Sequence, residues 1–310
     1  AIEQTYVDRL ATNAVATSLS VIWDCGNGAS GPTTEKLVAR LDGTHKVLFT
    51  EIDGTFPNHH PNPVDPETLK LLRAEVAAAG ADLGISFDGD GDRIGIIDGK
   101  GRQVPGDLLT AFLAKDVAAR HPGAPILLDV KSSEAALRLV ENAGAAAQIW
   151  KTGHSHMKTR MKELKAPLAG EMSGHIFIAD DYLGFDDAIY AAVRVITQMV
   201  KGGQSITEFM DSLPEQHATP ELRIDCPDTV KFDLMEKIRA HVLSGHDEAD
   251  VNSIDGVRVR SGDGWWLIRA SNTEAALVAR AEAANRTVLG RLLGEIETTL
   301  TAAGLDWKLP

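Results

Sequence analysis

The sequence predicts an α/β protein made of two consecutive β-α-β mixed-sheet domains followed by a smaller α+β C-terminal domain. Three observations predict it. Apolar runs of strand length alternate with helix-period segments, the alternation restarts past residue 103, and beyond residue 216 it gives way to short, partly alternating segments. A chain of 310 residues also exceeds the size at which one hydrophobic core keeps growing, so more than one domain is expected.

In order along the chain, LSVIWDC (19–25) reads as a strand, PTTEKLVARL (32–41) as a helix opened by proline, and HKVLFTEID (45–53) as a strand. PETLKLLRAEVAAAG (66–80) reads as a helix stopped by Gly80, and ADLGISFD and IGIID as strands flanking an aspartate-rich loop. After GDLLTAFLAKDVAARH the pattern begins again. PILLDV (125–130) is a strand, SEAALRLVENAG (133–144) a helix, AQIWKTG and APLAGEMSGHIFIAD strand material, and FDDAIYAAVRVITQMV (185–200) a covering helix. Both units suit mostly parallel sheets. ELRIDC, GVRVRSG, WWLIRAS and ALVARAEA are then short strands, and RTVLGRLLGEIETTL is a closing helix. The expected domains are 1–103, 104–215 and 216–310.

Composition excludes several classes of function. A net charge of −13 opposes general nucleic-acid binding, which depends on neutralising phosphates with Lys and Arg. No window approaches the uninterrupted apolar length that a bilayer requires. Cys25 and Cys226 are too few for a disulfide framework and form no Cys-x-x-Cys pair, so a reducing cytoplasm is the expected location. The opening AIEQTYVDRL has neither an initiator Met nor a signal-peptide pattern, which suggests a cleaved, trimmed or separately expressed piece. One local reversal of charge stands out: between Lys151 and His175 five cations and three histidines face only Glu163 and Glu171. That segment is either a site for a small anion or a solvated helix face.

The chemistry concentrates in a few loops. Gly26, Gly28 and Gly31 satisfy G-x-G-x-x-G between a strand and a helix, and Glu51 falls where a ribose-binding acid would sit; the alternative is a turn that needs glycine for packing. SFDGDGDRIG is more specific. In extended backbone Asp88, Asp90 and Asp92 point one way and can converge on a hard cation, for which Mg²⁺ is expected. An EF-hand is excluded, because Arg93 and Gly99 stand where Gly and Glu are required. Arg93 is then placed to contact a phosphoryl group. In GEMSGH, Glu171, Ser173 and His175 alternate and offer an acceptor, a hydroxyl and an imidazole, as neighbouring sugar hydroxyls would need. In RASNTEA, Arg269 with Ser271, Asn272 and Thr273 makes either an anion nest or, through Ser271 and Glu274, a capping box. TGHSHMK puts His154 and His156 in a loop with Lys158, and Lys131 follows the strand PILLDV. PNHHPNP, with His59 and His60 between prolines, reads as a rigid turn rather than a metal site.

Taken in order, EIDGTFPNHHP, DGDGDR, TGHSH, GEMSGH and RASNTE resemble the α-D-phosphohexomutase family, in particular bacterial phosphomannomutase/phosphoglucomutase, over essentially the whole chain. The resemblance implies an enzyme that interconverts hexose 1- and 6-phosphates of mannose or glucose through a phosphoserine and a bisphosphate intermediate. It implies Mg²⁺ on Asp88, Asp90 and Asp92, and Arg93 on the transferring phosphoryl group. Glu171, Ser173 and His175 would read the sugar, and Arg269, Ser271, Asn272 and Thr273 would hold the other phosphate. Lys131 and His154 would complete a cationic lining, with the metal loop and the phosphate grip lining one groove. No serine here lies in the family's Thr-Ala-Ser-His-Asn-Pro-like loop. The chain is therefore expected to lack the N-terminal phosphoserine domain, to need it as a partner, and to be inactive alone. The alternatives are a non-catalytic phosphosugar-binding fragment and a dinucleotide-dependent dehydrogenase.

Overall fold

The computed structural model describes residues 2–308, which divide by contacts into two units. Among them, the first comprises residues 2–149 and 154–213 and the second 150–153 and 214–308.

The first unit begins with helix α1 (Ile2–Ala11), strand β1 (Ser20–Asp24), helix α2 (Gly31–Val38) and strand β2 (Thr44–Leu48). Helix α3 (Lys70–Ala79), strands β3 (Leu83–Phe87), β4 (Ile94–Asp98) and β5 (Gln103–Val104) complete its first sheet, in the order β2-β1-β3-β4-β5. The β1–β2 and β1–β3 pairs are parallel, while β3–β4 and β4–β5 are antiparallel, so the sheet is mixed. The predicted strand 45–53 stops early because Phe49 turns into the left-handed region at φ 54°. The predicted helix 66–80 starts late, because Asp65 holds the Glu67 N–H in a turn, but it does end on a left-handed Gly80.

Helix α4 (Gly106–Arg120), β6 (Pro125–Asp129), α5 (Glu134–Asn142), β7 (Ala146–Trp150), α6 (His154–Leu164), β8 (Leu168–Gly170), β9 (Ile176–Ile178), α7 (Ala188–Gly202) and α8 (Ile206–Asp211) follow. Their sheet runs β7-β6-β8-β9. Helices α4 and α7 are buried on nearly all sides; they pack on each other, with α7 against β3, β4 and β9 and α4 against β6 and β8. One core therefore joins both sheets.

In the second unit β10 (His217–Ala218), β11 (Leu222–Asp225), α9 (Asp228–Gly245), β12 (Val251–Asn252), β13 (Val257–Arg260), β14 (Gly264–Ala270), β15 (Ala276–Ala283) and α10 (Arg286–Ala302) form an antiparallel sheet with two helices on one face. Helix α9 escapes a sequence reading because it buries only a narrow stripe, Lys231, Met235, Ile238 and Val242. Helix α1 escapes it for the same reason, burying only Val7 and Leu10.

The glycine-rich turn after β1 serves packing. A Cβ on Gly28 would lie 2.7 Å from the Gly89 carbonyl oxygen, and one on Gly31 would lie 2.1 Å from the Thr50 carbonyl oxygen. The Ala29 N–H already donates to Gly89 O at 2.8 Å. The space and the donor that a pyrophosphate would use are thus occupied by the chain itself, which removes the dinucleotide reading. Gly31→Ala is expected to destabilise the first unit by about 3 kcal/mol, since backbone cannot step aside as a side chain can; a lower urea midpoint measures it.

A buried ion network closes the far end of the second sheet. Asp180 pairs with Arg194 at 3.0 Å, with His121 at 2.8 Å and with Arg120. Burial would raise its carboxyl, but the hydrogen bonds from His121 and Arg194 and the nearby arginine charges outweigh that and hold it below its ordinary value of 3.8. A depressed carboxylate contributes stability that is present above the unfolded value and is lost as pH falls through the folded one. Asp180→Asn is accordingly expected to flatten the dependence of the unfolding midpoint on pH below about 4. An unchanged acid limb would contradict this.

Candidate active site

Strand β3 delivers Asp88 to a six-residue loop, 88–93, that re-enters the sheet at Ile94. The loop winds around Asp88 rather than running extended as the sequence suggested. Its Oδ1 accepts the backbone N–H groups of Gly91, Asp92 and Arg93, each at 3.1 Å, and its Oδ2 accepts Arg93 Nε at 2.7 Å. The three carboxylates nevertheless converge: one oxygen each from Asp88, Asp90 and Asp92 lie within 4.8 Å of one another. A donor set of carboxylate oxygens alone fits a hard divalent cation. Burial pushes the Asp88 carboxyl up to about 6, with Arg93 opposing, whereas the hydrogen bond from His175 holds Asp92 down at about 2.

GEMSGH is also a turn rather than an extended edge. The Gly174 N–H donates to Glu171 O at 3.0 Å, and this turn brings Glu171, Ser173 and His175 together. His175 Nδ1 lies 3.0 Å from Glu171 Oε2 and 2.8 Å from Ser173 Oγ, and its Nε2 lies 3.5 Å from Asp92 Oδ1. Burial disfavours the imidazolium, but Asp92 and Glu171 outweigh it and hold His175 at about 9. The turn is joined to the aspartate loop by an antiparallel bridge between Arg93 and His175 and by Ile94 N–H donating to Gly174 O at 3.0 Å. Gly174, at φ 92°, is required there, because a Cβ would come within 2.4 Å of the Ile94 oxygen. Asp129, at the end of β6, accepts the Met172 N–H at 3.3 Å, and buried Lys131 lies 3.9 Å from the same carboxylate.

His154 and His156 lie on helix α6, not in a loop; His154 opens it and Lys158 follows one turn later. Lys158 Nζ reaches His154 Nδ1 at 3.1 Å and Asp186 Oδ1 at 2.9 Å. Asp186 was missed from sequence, although FDD places two acids before α7 and only Asp187 caps that helix. Asp92, His175 and Asp186 form a second close grouping, but Lys158 already sits on Asp186. His59, within PNHHPNP, pairs with buried Asp24 at 2.9 Å.

The second unit positions the RASNTE loop by itself. Lys231, buried on α9, donates to the carbonyls of Ser271 at 2.8 Å and Glu274 at 3.0 Å. Ser271 Oγ accepts the N–H groups of Thr273 and Glu274, but strand β15 rather than a helix follows, so the capping-box alternative fails. Arg269 is only 4% exposed, and its Nε donates to Asp255 Oδ2 at 3.0 Å. Asp255 also accepts Thr152 N–H at 3.0 Å, and Asn272 Nδ2 donates to Thr152 O at 3.2 Å. Arg269 Nη2 is buried with no hydrogen-bond partner, a donor suited to an anion.

Comparison with known proteins agrees in order and extent. Three family models match: "Phosphoglucomutase/phosphomannomutase, alpha/beta/alpha domain II" over residues 4–101, "alpha/beta/alpha domain III" over 105–217, and "C-terminal domain" over 221–298. The chain is 44% identical over 296 residues to a phosphomannomutase/phosphoglucomutase of Pseudomonas putida, covering 96% of this chain and 64% of that protein. It is 37% identical to a phosphoglucomutase of Neisseria gonorrhoeae, covering 94% and 63%. A crystal structure of a phosphoglucomutase/phosphomannomutase family protein from Burkholderia thailandensis superposes with a TM-score of 0.91 at 37% identity, over 100% of this chain and 66% of that one. The chain thus spans somewhat less than two thirds of the length of these relatives.

Proposed function

Because the chain belongs to the phosphoglucomutase/phosphomannomutase family, we propose that it supplies the metal, sugar and phosphate sites of an enzyme interconverting hexose 1- and 6-phosphates, of mannose or glucose, through a phosphoserine. The observation that carries this reading is the bridge between Arg93 and His175, which joins the carboxylate triplet to the GEMSGH turn. The division at residues 103 and 216 belongs to the same proposal, supported by family-model limits at 101 and 105 and at 217 and 221. The phosphoserine is supplied from outside these 310 residues. A cytoplasmic setting suits the two free, buried cysteines; among the described residues no helix is long and apolar enough to cross a membrane.

Asp88, Asp90 and Asp92 would hold Mg²⁺, which when bound acts as a Lewis acid on a phosphoryl oxygen. Arg93, its Nε engaged by Asp88, keeps the rest of its guanidinium for the transferring phosphoryl group. Phosphoryl transfer has a loose transition state and needs positioned positive charge more than covalent assistance. His175, held as a cation, would present Nε2–H to a sugar oxygen, and Ser173, whose hydroxyl proton goes to Glu171, would accept from a sugar hydroxyl; Glu171, 1% exposed, anchors both of them. Lys131 and His154 line the same site. In the second unit, Arg269 Nη2 with Ser271, Asn272 and Thr273 grips the phosphate that is not transferring.

The test is a coupled assay of glucose 1-phosphate and mannose 1-phosphate conversion, with the phosphoserine domain of a relative supplied and Mg²⁺ present. Turnover that chelation abolishes is expected. Binding of glucose 1,6-bisphosphate without turnover would favour a purely binding role, and no binding at all would reject the reading.

A further inference from the structure

We propose that Lys158 and Asp186 are a positioning pair that decides which ring nitrogen of His154 carries the proton. The geometry stands on its own; only the use made of His154 rests on the mutase reading. Lys158 lies four residues after His154 on α6, so the two share a face. Its Nζ sits 3.1 Å from His154 Nδ1. An ammonium has donors and no acceptor, so Nδ1 must turn its lone pair to Lys158, and the proton of the neutral ring resides on Nε2.

Asp186 arrives from the segment before α7 and addresses both partners. One oxygen holds Lys158 at 2.9 Å. The other, Oδ2, is buried without a hydrogen bond and lies 3.6 Å from the same His154 Nδ1. Lys158 is thus all that keeps Asp186 from claiming Nδ1–H for itself. Two further groups complete the surroundings: the His175 ring stacks on His154 at 6.1 Å between centroids, and Asp92 approaches His175. The consequence for chemistry is direct. With Nε2–H, His154 meets a sugar oxygen as a donor; with the other tautomer it would present a lone pair.

The experiment is ¹⁵N NMR of the histidine rings in the whole 310-residue chain, with His154 assigned from the signals lost in His154→Gln. The wild-type ring is expected to be the Nε2–H form, and Lys158→Met to convert it to Nδ1–H, a change of at least tenfold in tautomer ratio. Lys158→Gln, which keeps an N–H donor, is expected to restore the wild-type form. Lys158→Met with Asp186→Asn should give the mixture shown by exposed His156. Signals of His59 and His175 report that each variant is folded. A His154 spectrum unchanged by Lys158→Met, or a wild-type ring indistinguishable from His156, overturns the proposal. Absent turnover in the coupled assay with the tautomer switch intact would instead reject the mutase reading and leave this pair standing.

Discussion

Asp90→Asn is expected to weaken divalent-cation binding by about 100-fold or more while leaving the unfolding midpoint where it was, whereas Asp88→Ala is expected to lose both binding and stability. The two aspartates differ in what else they do. Asp90 is exposed, so its carboxylate is available to a cation and little of the fold depends on it. Even changing a residue that only hydrogen-bonds a metal's ligands costs ten- to a hundredfold in affinity, and losing a direct ligand costs at least as much. Asp88, by contrast, is 2% exposed and satisfies three backbone N–H groups together with Arg93. Removing it leaves buried donors and a guanidinium without their acceptor, a cost of about 2–4 kcal/mol. Calorimetric titration with Mg²⁺ and Mn²⁺ and urea unfolding of both variants provide the measurement. Equal cation affinity in Asp90→Asn and wild type would show that the triplet is an acidic turn and nothing more.

Arg269→Met is expected to reduce binding of glucose 1,6-bisphosphate by about 10- to 150-fold, equivalent to a charge-assisted hydrogen bond of roughly 1.5–3 kcal/mol. Its guanidinium is fixed at one end by Asp255 and keeps a buried, unpartnered Nη2 at the other, so one planar group is positioned by the protein with a donor whose bond an anion would complete. Arg269→Lys should recover little of the loss, because an ammonium cannot hold Asp255 and a phosphate in the same fork. Asp255→Asn tests the positioning separately and is expected to give an intermediate loss. Phosphosugar affinity unaffected by Arg269→Met would place the phosphate grip elsewhere.

The glycine turn shows what spacing alone leaves undecided, and the histidines show where a sequence reading goes astray. Gly26, Gly28 and Gly31 match a nucleotide fingerprint, yet main chain of the aspartate loop and of Thr50 fills the place a pyrophosphate would take. A spacing rule records which residues lack a Cβ and not what approaches them. Asp88 to Asp92 and Glu171 to His175 read as convergent because alternating residues of extended backbone share a face. They do converge, but by tight turns closed through the Asp88 carboxylate and the Glu171 carbonyl. TGHSHMK reads as a loop because it has no apolar stripe of its own, and helix α6 buries only Met157 and Met161.

Fold class, the mixed α/β units and their α+β successor, and the residue types at each loop were legible in the chain, because hydrophobic period and turn chemistry are local properties written in adjacent residues. Folding alone brings Arg93 to His175, Asp186 to Lys158 and His154, and Lys231 and Asp255 to the RASNTE loop. Those contacts join residues far apart in the chain. Strand order and helix packing bring them together, and no local pattern records that proximity.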